Sequence, residues 1–164
     1  MPVRRIKNKT ISTKLSEIQS LINDSKAWAT TEPRLAAHLA TYIDVYLLGV
    51  IEESVELLLK QRAGKCNDPE VCNYINKDVE KRFRNPSRQT ILEILGKFSD
   101  AYASSFGLSF PTSCREIDAL QSILDHKTNL AHKGISQLGL TPLDAENYFG
   151  EIITVIEKLE QILS

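Results

Sequence analysis

The chain has 164 residues, 42% of them hydrophobic and 25% charged, a balance that predicts a folded domain and excludes disordered, collagen-like and extended apolar classes. Its length fits one domain with one core, read here as residues 1–164. Twenty Lys and Arg against twenty-one Asp and Glu leave a net charge of -1, so any anionic partner must be held by a local basic patch.

Apolar residues recur every three or four positions from end to end, and no stretch alternates polar and apolar, which predicts an all-α bundle with two long core helices and short middle helices. The first helix is expected from about Ser12 to Trp28, with Leu15, Ile18 and Ile22 on one face. Thr31-Glu32-Pro33 reads as a cap with an early-turn acid and proline, opening a helix that reaches Leu59 or beyond before Gly64. Apolar side chains wrap nearly all round this second helix, so it should be central, with Glu53 interrupting its stripe of Ile43, Tyr46, Val50 and Leu57. Asp68-Pro69-Glu70 starts a third helix, expected to turn Val71, Ile75 and Val79 inward. Asn85-Pro86-Ser87 divides it from a fourth carrying Ile91, Ile94 and Leu95, and Ala101 to Leu108 reads as a turn of helix followed by loop. Ser113 and Glu116 are spaced as a capping box for the next long helix, and Thr141-Pro142 caps the last, whose inward stripe runs from Phe149 to Leu163.

Cys66, Cys72 and Cys114 are odd in number and lack the spacing of a disulfide framework or a zinc site, which fits a reducing cytoplasm and no metal. The basic N-terminus is not followed by an apolar signal core, and no uninterrupted apolar run of about 18 residues occurs, so neither export nor a membrane span is expected. No P-loop, dinucleotide fingerprint or GxSxG elbow is present, and no cofactor is expected.

The segment Glu116 to Gly134 carries the chemistry. Ile117, Leu120, Leu124 and Ala131 step along one helical face, and Lys127 stands on the step between Leu124 and Ala131. His126 and His132 flank that lysine, and Gly134 is placed to end the helix. Read from pattern alone, the lysine snorkels to water and the terminal histidine complements the helix dipole. The run Lys127-Thr-Asn-Leu-Ala-His132, with Gly134 behind it, resembles the terminal motif of the HEPN superfamily, in which four to six residues separate an Arg from the His that follows it. The chain is most similar to the branch called RiboL-PSP-HEPN, and two further segments share the likeness, Tyr46 to Glu53 and Val71 to Pro86. The resemblance extends over about residues 35–164, with Lys127 standing where the family carries Arg.

The resemblance implies a metal-independent endoribonuclease assembled at a homodimer interface, in a toxin or antiviral defence setting that includes a companion antitoxin or defence protein. RNA brings its own nucleophile, the 2'-hydroxyl, so such a site needs a group to move protons and a positive charge for the phosphorane. His132 is the expected proton-transfer residue, Lys127 the electrostatic one, and Glu53 a carboxylate that orients one of them. Five helical residues turn through about 500 degrees, so Lys127 and His132 of one chain diverge by about 140 degrees, and a twofold partner is needed to bring both kinds of group together. His126 is a further proton donor on this reading, and Lys81, Arg82, Arg84, Arg88 and Lys133 are the expected RNA-phosphate contacts. The alternative is a catalytically inactive module of the same fold that dimerises and binds RNA, nucleotide or protein, since Lys offers phosphate a point charge where Arg offers a planar fork.

Overall fold

The computed structural model describes residues 6–82, 85–133 and 139–164, together with the side chains of all of these except residues 80–82, 131 and 133. Seven helices follow one another among the described residues: α1 (Lys9–Trp28), α2 (Pro33–Ala63), α3 (Pro69–Arg82), α4 (Arg88–Phe98), α5 (Asp100–Ser109), α6 (Arg115–Lys133) and α7 (Pro142–Leu163). The architecture is all-α, with long helices at both ends of the chain and three short ones in the middle.

Helix α1 begins three residues earlier than its apolar stripe suggests, because the Asn8 side chain accepts the Ile11 amide and caps it. The amides of Lys7 and Asn8 donate to the Glu160 carboxylate at 2.9 and 2.8 Å, while Lys26 pairs with Glu146 at 2.8 Å. Those two ties hold α1 antiparallel to α7. A tight turn, in which the Glu32 amide donates to the Trp28 carbonyl, then sends α2 back along α1. Thr31 is not the cap of α2: the position falls on Glu32, which makes no side-chain cap bond, and Pro33 at the first turn sets the start. The buried Ser25 hydroxyl donates to the Ala36 carbonyl at 2.9 Å and locks this corner.

The core is one continuous cluster drawn from all seven helices. Leu15, Ile18 and Ile22 of α1, Ile43, Leu47 and Ile51 of α2, and Phe149, Ile152 and Ile156 of α7 are almost wholly excluded from water. Helix α2 packs against α1, α3, α6 and α7, as expected of a central helix. By length and composition it is also apolar enough to cross a membrane, with a window of mean hydropathy 1.3 of which half is buried against the rest of the protein.

Three local expectations are corrected. Asp100–Ser109 is a full helix, capped by Ser99, which seats Phe106 in the core; Phe110 packs on that ring with centroids 5.0 Å apart. Val71 is 43% exposed, because α3 enters the core only through Ile75 and Val79 toward its far end. Helix α6 starts at Arg115, one residue later than a Ser113 cap requires, and its first carbonyl acceptor is Cys114, which takes the Asp118 amide at 3.0 Å.

The start of α7 is a complete capping box: the Thr141 hydroxyl accepts the Asp144 amide, and the Asp144 carboxylate accepts the Thr141 amide at 2.9 Å. Thr141→Ala is expected to lower stability by about 1 kcal/mol, read as a shift of the urea midpoint at unchanged slope.

Candidate functional site

Lys127 leaves the α6 surface toward the corner between α3 and α4, and that corner is built to receive it. Asn85 has φ 55, a left-handed conformation that asparagine tolerates better than most residues. In that position its amide donates to Glu52 Oε1 of α2 at 3.0 Å, and its side-chain oxygen accepts from Lys127 Nζ at 3.0 Å. The same Glu52 oxygen lies 3.5 Å from the ammonium. Three elements distant in sequence thus fix one cation, whose side chain keeps 43% of its surface open to solvent. Such a partly exposed pair adds at most about 1 kcal/mol to stability, so its main effect is to place the charge.

Glu53, the expected orienting carboxylate, does not do this. It points to a different side of α2 and pairs with Lys14 of α1. Successive helical residues are about 100 degrees apart, so when Glu52 faces Asn85 and α6, Glu53 must face α1. The run Glu52-Glu53 signalled a carboxylate at this level of α2, and only the packing decides which of the two meets the lysine.

His132 lies on the exposed side of α6, five residues beyond Lys127, and the two side chains do not converge within one chain. The expected phosphate-binding group is divided. Arg88 is half-buried, and its Nε donates to the Phe110 carbonyl at 2.7 Å, closing the end of α5. It holds α4 to α5. The side chains of Lys81, Arg82 and Lys133, and the whole of Phe83 and Arg84, lie outside the described residues. Lys77, one turn before Lys81, is exposed.

A second polar pair was not singled out from the sequence. Asp44 sits in the middle of α2, with 1% of its side chain exposed, and its Oδ2 lies 2.6 Å from His126 Nδ1. With the carboxylate ionised, Nδ1–H is the donor. The His126 ring also faces Tyr148 of α7, at 5.8 Å between centroids, and is one-fifth exposed. The second carboxylate oxygen, Oδ1, is buried without a hydrogen-bond partner among the described residues. Burial pushes the Asp44 carboxyl above its ordinary value; the hydrogen bond and charge of His126 pull it back in part, and Asp144 pushes it up. The readable signal was an acid at Asp44 on the same face as Leu48 and Ile51, where a charge needs a partner from another helix.

A groove of about 680 Å³ lies along α7 between α1 and α6, lined by Gln19, Arg115, Asp118, Ser122 and Tyr148 among others, and includes neither Lys127 nor His132. Among the described residues no group of three or more His, Cys, Asp and Glu side chains is placed to hold a metal ion. No family model, curated protein or solved structure matches the chain, so the reading of the site rests on its own residues.

Proposed function

We propose that the chain is an endoribonuclease similar to the HEPN class, working without metal as a cytoplasmic homodimer in a toxin or antiviral defence role, with RNA as substrate and a companion antitoxin or defence protein as regulator. The observation that carries the reading is the anchoring of Lys127 by Glu52 and Asn85, which holds an accessible cation on the same helix as the exposed His132. A cation held in place before substrate arrives stabilises the developing phosphorane with little reorganisation.

In this mechanism one His132 takes the proton of the RNA 2'-hydroxyl as its oxygen bonds to phosphorus. The phosphorus–O5' bond breaks, and the partner's His132, entering protonated, supplies the proton to the departing 5'-oxygen. The products are a cyclic phosphate and a 5'-hydroxyl. Lys127 faces the non-bridging oxygens, where charge builds up.

The inactive-module alternative draws on the same contacts, since a lysine already engaged by Glu52 and Asn85 has fewer directions left for phosphate. The two readings separate in one assay. Cleavage of mixed RNA in EDTA is expected to rise about tenfold in Lys127→Arg, which gains the bidentate grip, and to collapse in Lys127→Ala. No cleavage by any of the three forms selects the binding module.

A further inference from the structure

Helix α3 meets the rest of the protein along one side. Ile75 and Val79 enter the core there, and the opposite side presents Glu70, Tyr74 and Lys77 to solvent. Tyr74 is 71% exposed, more than any other aromatic side chain among the described residues. Its ring meets no other ring and its hydroxyl has no hydrogen-bond partner among those residues, so nothing inside the fold accounts for an aromatic at this position. Lys77 follows three residues later and about 60 degrees round the helix, and its ammonium has no ion-pair partner among the described residues. Of the described carboxylates on α3 and at its start, two are engaged elsewhere. Asp68 accepts the Glu70 and Val71 amides, and Asp78 pairs with Lys97 of α4. Glu70 stands a turn before Tyr74, at the end of the helix away from Lys127.

An exposed ring beside an unpaired cation favours one kind of partner. Protein interfaces are depleted in lysine, and an apolar docking surface would desolvate the Lys77 ammonium without supplying a counter-charge. A single-stranded nucleic acid supplies both complements, a base face for the ring and a phosphate for the ammonium. Position points the same way. From Tyr74, α3 runs about 12 Å along its axis to Arg82, three residues before the Asn85 that holds Lys127. A strand lying along α3 therefore passes from the ring to Lys77 and on toward the anchored lysine within a few nucleotides.

We propose that Tyr74 is a base-stacking platform for single-stranded RNA, with Lys77 on the adjoining phosphate and the strand continuing to Lys127. The inference rests on the nuclease reading for the role of that strand as substrate, and it adds the class, an unpaired segment whose bases are free to stack on a side chain.

Fluorescence anisotropy on the full chain tests this with a labelled single strand of about twelve nucleotides, 2'-O-methylated so that the 2'-oxygen cannot attack. Wild type, Tyr74→Ala, Tyr74→Phe and Lys77→Gln are compared after melting curves show each to be folded. Tyr74→Ala is expected to weaken binding about tenfold or more, whereas Tyr74→Phe, which keeps the ring, binds as the wild type does. Lys77→Gln is expected to lower the slope of log affinity against log salt by about 0.7, the loss of one phosphate contact. The same sequence presented as a duplex should bind more weakly and be indifferent to Tyr74→Ala. Equal single-strand affinity in wild type and Tyr74→Ala overturns the platform and leaves the nuclease reading standing. A wild type that binds no strand also overturns it, and a change of self-association in Tyr74→Ala would then assign the face to protein contact. Tyr74-dependent binding by a chain that leaves unmodified RNA intact upholds the platform and removes the nuclease reading alone.

Discussion

Replacing His126 by alanine is expected to destabilise the protein by about 3 kcal/mol near neutral pH, because it strips the hydrogen-bonding partner from a carboxylate that is almost wholly buried. Asp44 already has one oxygen without a partner among the described residues, so the loss of the bond to Oδ2 leaves the charge held by nothing within α6. Asp44→Asn keeps the shape and removes the charge, and should cost about 1 kcal/mol. The pH dependence has a definite sign. Burial holds the Asp44 carboxyl above its ordinary 3.8 in the fold, so the folded state binds that proton more tightly than the unfolded chain does. The associated stabilisation is present in full below 3.8 and is lost as pH rises through the raised folded value. Urea titrations of wild type and Asp44→Asn across this range should therefore show the variant gaining on the wild type as pH rises. The deficit of His126→Ala should grow in the same direction, since a protonated Asp44 has no charge to leave stranded. A deficit that is flat with pH, or below about 0.5 kcal/mol, would mean the pair is not a buried charge contact.

The second large effect is on chemistry. His132→Ala is expected to lower RNA cleavage by roughly 100- to 10,000-fold, the usual contribution of a positioned proton-transfer group, with stability changed by no more than about 0.5 kcal/mol because the side chain is exposed. His126→Ala should not share this signature: its activity should follow the fraction folded. Initial rates measured beside melting curves separate the two histidines. Equal rates in wild type and His132→Ala, both folded, would remove His132 from the mechanism.

Periodicity made the fold legible. The stripes Leu15, Ile18, Ile22 and Phe149, Ile152, Ile156 are local properties of one helix, and helices with such stripes bury them against one another. The errors fell where a boundary depends on neighbours. Phe106 sits in a segment with weak amphipathic pattern, which on its own reads as a turn of helix; α4 and α7 supply the surface on which the full helix packs. The site was half legible. Lys127 and His132 are marked by spacing within one helix, whereas the choice of Glu52 over Glu53 depends on the relative rotation of α2 and α6. The role of Asn85 depends on a single left-handed residue at a corner. Arg88 illustrates the reverse case: a cation within a basic run whose guanidinium is engaged by the Phe110 carbonyl, a contact 22 residues away that no local pattern encodes.

The decisive measurement is end-group analysis of RNA incubated in EDTA with wild-type protein and with His132→Ala. Fragments ending in a 2',3'-cyclic phosphate and a 5'-hydroxyl, released by the wild type alone, are the expected result. Intact RNA in both reactions, or fragments released equally by both proteins, would contradict a nuclease built from this histidine and its anchored lysine.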